Sequence, residues 1–143
     1  MDIFLQCLYA FIGCIAFCCL FNIRGRALFL CSVGGFLGWM FFLLFSPLQN
    51  DIIQYFIATV ITAIYSESMA RIVKKPATEF QIIALLPLVP GGGIFYTMEY
   101  LVIGNTSMFL HTGLHTLGIA GALAMGILLV STMVRLVHIV RTH

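Results

Sequence analysis

Five apolar stretches, at roughly 3–22, 27–46, 52–70, 80–104 and 113–136, are each about the 20 residues a helix needs to cross ~30 Å of hydrocarbon. The connections are short and leave no length for a separate soluble domain. The basic residues decide how the stretches thread. Arg24 and Arg26 follow the first, Arg71, Lys74 and Lys75 follow the third, and Arg135 and Arg141 close the fifth. The second and fourth connections, from Ser46 to Asp51 and from Gly104 to His111, carry no Lys or Arg. All 7 basic residues therefore fall on one side of a five-span chain, the side that the positive-inside rule makes cytoplasmic. The expectation is an all-α polytopic membrane protein, one transmembrane domain over 1–143, with the N-terminus outside and the C-terminus inside.

Composition supports that solvent. Hydrophobic residues make up 62% of the chain and charged residues 8%, with a mean hydropathy of +1.10. Soluble domains carry about 25% charged residues, so a chain this apolar has too little polar surface to face water. The net charge of +2 is uninformative as a total, and no nucleic-acid partner is expected. Asp2, the lack of a basic leader and the lack of a small-residue cleavage site make the first stretch a span rather than a signal peptide. The 5 cysteines are odd in number and lack metal spacing, which reads as small apolar packing residues rather than disulfides or a zinc site. His111 and His115 share a helix face but have no evident third ligand, so no metal and no cofactor is expected. With no nucleophile–base pair within the spans, the chain reads as non-enzymatic.

The fourth stretch carries the chemistry. It contains Pro87, Pro90 and Gly91, Gly92 and Gly93 near its middle. In a helix interior Pro costs about 3 kcal/mol and Gly about 1 kcal/mol, roughly 9 kcal/mol in all, so a continuous helix is disfavoured. Pro87 cannot bond the carbonyl of Ile83, nor Pro90 that of Leu86. Two half-helices should meet near the midplane. The second starts at the glycines, with free N–H groups and a positive dipole end suited to a carboxylate. The first ends with the carbonyls of Ile83 and Leu86, suited to an ammonium. Broken spans of this kind are a transporter device. No Lys-Ser/Thr follows the glycines, which excludes a nucleotide-binding loop.

Other polar residues extend this candidate site. Tyr96 and Thr97 follow the break. Tyr55, Thr59, Thr62 and Ser66 form a hydroxyl stripe on one face of the third span, for a solute path or for bonds to neighbouring helices. Glu99, about two turns past the break with no basic neighbour, is the candidate proton carrier. Glu67 and Arg71, one turn apart, suggest an interfacial ion pair, and Glu79 and His138 read as interfacial. Gly34 with Gly38, and Gly118 with Ala122 and Gly126, let helices approach closely, within the chain or against another subunit.

These residues together resemble a known family. The run Pro87-Leu-Val-Pro-Gly-Gly-Gly-Ile-Phe-Tyr-Thr97 resembles the signature of the threonine/serine exporter (ThrE) family. So do Ser66-Glu-Ser-Met-Ala-Arg71 with Lys75-Pro-Ala-Thr78, the Phe21-Asn-Ile-Arg24 connection and the Leu128-Leu-Val-Ser131 ending with Arg135. The resemblance covers nearly the whole chain. It implies export of threonine and serine across the cytoplasmic (inner) membrane, driven by the proton motive force. It also implies the smaller subunit of a split exporter, paired with a larger subunit of the family. Split members have been associated with dicarboxylate export too. Five spans make a thin wall for a solute path, so a partner or a homo-oligomer is expected. A non-transporting assembly subunit is the reading from another class.

Overall fold

The computed structural model describes residues 3–48 and 50–142, apart from the side chains of Leu48, His138, Ile139, Arg141 and Thr142. Asp2 and the side chains of His138 and Arg141, used in the reading above, lie outside the described residues. The described chain is helical: α1 Ile3–Leu20, α2 Arg26–Leu44, α3 Asp51–Val73, α4 Ala77–Leu85, α5 Gly91–Ile103 and α6 Thr106–Thr142. Single turns of 3-10 helix lie at Ser46–Leu48 and Leu86–Leu88. Helices α1, α2, α3 and α6 are each long and apolar enough to cross a membrane. The α4 segment and α5 make a fifth such unit, bent by 56° at the break between them.

The helices end where the sequence supplies residues for it. α1 closes with Asn22 in the left-handed region (φ 56°), the Ile23 N–H bonding the Cys18 carbonyl at 2.9 Å. Asn tolerates this conformation better than other non-glycine residues. α5 closes with Gly104 at φ 79° and the Asn105 N–H on the Tyr100 carbonyl at 3.0 Å. Gly25, just before α2, has φ 70° and ψ −141°, a region essentially closed to residues with a Cβ. Gly25→Ala should therefore cost about 1–3 kcal/mol although nothing lies within 4 Å of the added carbon. A fall in the thermal midpoint of the detergent-solubilised protein would register this. An unchanged midpoint would mean the turn relaxes.

α2 is the centre of the bundle and packs against α1, α3 and α4. Its glycines make that possible. A Cβ at Gly34 would stand 2.9 Å from Ala84 Cβ, and one at Gly38 would stand 2.8 Å from Thr62 Oγ1. The buried core nearest the basic end comprises Cys14, Cys18, Ile23, Ala27, Cys31, Ala70, Phe80 and Ile83. Four cysteines are buried and Cys19 is exposed. The Cys14 Sγ–H donates to the Ile83 carbonyl at 3.5 Å.

α6 departs most from expectation. It begins at Thr106 rather than at 113 and has 37 residues, about 55 Å at 1.5 Å per residue. The fourth connection shrinks to Gly104 and Asn105, because the Asn105 side chain accepts the Met108 N–H at 3.2 Å and starts the helix early. A Cβ at Gly118 would meet Ile52, and one at Gly126 would meet Thr59, so α6 runs parallel to α3. The same glycine stripe thus packs within the chain. This register leaves the first eleven residues or so of α6, ~17 Å of helix, ahead of the start of α3. α5 lies antiparallel along this projecting part, with Gly93 against Thr116 and Gly113 against Thr97. α5 buries none of its residues.

Arg71, Lys75 and Arg135 lie at one end. Lys75 lies beside Phe21, Asn22 and Ile23 of the first connection. Arg71 and Arg135 line another cleft at the same end.

Candidate functional site

The site is built on backbone that cannot be helical. After the 3-10 turn at Leu86–Leu88, Val89 is extended (φ −62°, ψ 127°). Pro90 has φ −76° and ψ 60°, and the Gly91 N–H bonds the Val89 carbonyl at 2.7 Å, which is an inverse γ-turn. The first bond of α5 runs from the Ile94 N–H to the Pro90 carbonyl at 3.1 Å. The N–H groups of Gly92 and Gly93 therefore precede the helical ladder and are the open donors of this helix start.

The three glycines are not equivalent. A Cβ at Gly91 or Gly92 would meet nothing within 4 Å. One at Gly93 would stand 2.5 Å from Thr116 Oγ1, so Gly93 is needed to seat α5 on α6. Gly91 and Gly92 face a cleft of about 400 Å³ whose walls include Trp39, Tyr55, Pro87 and Thr112. The cleft also holds Asp51 and His115, with His115 Nε2 3.6 Å from Asp51 Oδ2. Donors for a carboxylate and an acceptor for an ammonium thus share one cleft.

That arrangement corrects one expectation. Ile83 and Leu86 do not offer free carbonyls: the Ile83 oxygen accepts from the Leu86 N–H and from Cys14, and the Leu86 oxygen accepts from the Val89 N–H at 3.3 Å. Cys14 of α1 and the 3-10 turn supply the bonds that the prolines remove. The glycines lie level with the start of α3. Pro87 is near Gly35, the middle of α2, but the chain then runs extended, and Gly93 reaches Thr116 beside the first turn of α3.

The other candidates divide. Pro87 and Pro90 line the cleft, as does Tyr55. Thr59 and Thr62 are buried in helix seams, and their hydroxyls donate at 2.7 Å to the carbonyls of Tyr55 and Ala58 on their own helix. Thr97 likewise donates to the Gly93 carbonyl at 2.7 Å, while Tyr96 is exposed and stacks edge-on against Phe95. Glu99 is exposed on α5, eight residues and ~12 Å beyond Gly91. The expected Glu67–Arg71 ion pair does not form; the Glu67 carboxylate instead accepts bonds from Gln81 and Ser131, which α4 and α6 bring to it. Among the described residues the ion pair between formally charged side chains is Lys75–Glu79 at 3.1 Å, and His115 Nε2 lies 3.6 Å from the Asp51 carboxylate.

Asp51 and His115 escaped the sequence reading as site residues because 64 positions separate them. The available signal was an acidic residue opening an apolar helix with no basic residue nearby.

A family model described as threonine/serine exporter, ThrE, matches residues 6–133. No curated protein matches the chain. No solved structure matches it.

Proposed function

The chain belongs to the threonine/serine exporter family, and from that premise we propose that it is the smaller subunit of a split exporter whose solute binds at the α4–α5 break. It is a multi-pass membrane protein of a family that exports amino acids. The observation that carries the finer reading is the cleft at the start of α5. The Gly92 and Gly93 N–H groups, aided by the dipole of α5, take the α-carboxylate. Asp51 takes the α-ammonium, and His115 orients Asp51. Ile83, Leu86, Thr59 and Thr62 serve packing instead.

In this proposal the α4 segment and α5 form one broken span in the inner membrane, with the basic end in the cytoplasm and the N-terminus outside. Glu99 is the proton carrier. A carboxylate on an apolar, unburied helix is costly in lipid, so α5 calls for cover. The larger subunit supplies it.

Efflux of labelled threonine, serine and succinate tests this, from cells expressing this chain, its larger partner, or both. Threonine and serine efflux only with both supports the proposal. Efflux of succinate alone would replace the substrate, and full efflux from the partner alone would leave this chain an assembly subunit. Efflux with this chain alone would mean a homo-oligomer.

A further inference from the structure

A second polar cleft lies at the opposite end of the α3–α6 seam. Glu67 of α3, Gln81 of α4 and Ser131 of α6 meet there. The Gln81 side-chain amide donates to Glu67 Oε1 and to Ser131 Oγ, and the Ser131 hydroxyl donates to the same Glu67 oxygen, all at 3.4 Å. Gln81 is 8% exposed and Glu67 and Ser131 are half-buried. Beside them opens a cleft of about 400 Å³, also lined by Arg71, Thr78 and Arg135.

The charges in it are ordered. Arg71 follows Glu67 by four residues and Arg135 follows Ser131 by four. Four residues, about 6 Å of helix rise, therefore set the backbone positions of both arginines nearer the basic end than those of Glu67 and Ser131. Neither arginine enters an ion pair among the described residues. The cleft is lined by one carboxylate, two arginines, and hydroxyl and amide groups. The bonds among Glu67, Gln81 and Ser131, at 3.4 Å, are long beside the ~2.7–2.9 Å of a tight charge-assisted bond, so a ligand can replace them.

We infer that this cleft is the cytoplasmic loading site for a zwitterionic hydroxy amino acid, with Glu67 as the residue that selects it over a dicarboxylate. Arg71 and Arg135 take the α-carboxylate, Glu67 takes the α-ammonium, and Ser131 and Thr78 meet the side-chain hydroxyl. A dicarboxylate in the same pose brings its second carboxylate against Glu67, a like-charge contact. The inference rests on the export reading above and adds a second site, with a selecting residue, for the same solute. It also gives the α3–α6 seam a purpose. The two clefts lie at its two ends, and Thr59 against Gly126 closes the seam between them.

Inside-out membrane vesicles from cells expressing the exporter complex turn this face to the medium. Glu67→Gln should raise the KM for labelled threonine about tenfold or more. It should also strengthen inhibition by succinate severalfold, a change that a merely structural role would not produce. Glu67→Asp should recover part of the affinity. Arg135→Gln, on an exposed side chain, should raise the KM for threonine and weaken succinate inhibition. Unchanged KM and unchanged succinate inhibition in variants that accumulate normally would overturn the inference. If Glu67→Gln fails to accumulate, Arg135→Gln decides: an unchanged KM overturns it. An unchanged KM with lost thermal stabilisation by phosphatidylglycerol vesicles would also overturn it, in favour of a lipid headgroup. Wild-type vesicles that take up no threonine would overturn the export reading and this inference with it.

Discussion

Gly92→Leu should abolish threonine export while the protein still accumulates in the membrane. The argument is local. The Gly92 N–H lies ahead of the first bond of α5, and its Cβ direction is open, with nothing within 4 Å. An isobutyl group there fills the approach to the two open N–H groups and meets no packed neighbour. Folding is spared and the solute is excluded. Gly93→Leu provides the contrast one residue on. Its Cβ would stand 2.5 Å from Thr116 Oγ1, so α5 must leave α6. That variant should lose export together with thermal stability. Measuring efflux beside membrane accumulation separates the two. Wild-type efflux from Gly92→Leu would remove the solute from the break.

Gly38→Leu should cost about 1–3 kcal/mol of stability, because the added side chain overpacks a seam where three elements meet. Thr62 Oγ1 would be 2.8 Å from the new Cβ, with the Ala84 carbonyl and Leu88 at 3.5 Å. Such a chain should accumulate poorly and melt early. Gly38→Ala should cost less, and Thr62→Ala should relieve it, giving a coupling of about 0.5–3 kcal/mol in the double-mutant cycle. Gly13→Leu is the control, since nothing lies within 4 Å of a Cβ there. Additive effects at Gly38 and Thr62 would mean that the α2 stripe faces another subunit.

The sequence makes the spans legible because lipid imposes one strong rule, a run of apolar residues as long as the bilayer is thick. It also makes the break legible, since Pro87, Pro90 and the glycines oppose a helix whatever surrounds them. The start of α6 was not legible: Asn105, Thr106 and Ser107 are polar enough to pass for a loop, and only the cap on the Met108 N–H makes them a helix start. The division of labour among Gly91, Gly92 and Gly93 depends on what each faces, which only packing decides. The pairing of Asp51 with His115, and of Glu67 with Gln81 and Ser131, joins residues on separate helices. Helix periodicity constrains partners three or four residues apart, and it led to Arg71 as the partner of Glu67. Three helices converging at the basic end offered the carboxylate two other donors.

The most direct measurement is counterflow of labelled threonine into proteoliposomes holding the purified exporter complex preloaded with unlabelled threonine. The account predicts transient accumulation of label by the wild type and none by Gly92→Leu. Equal counterflow by both, or none by the wild type, would contradict it.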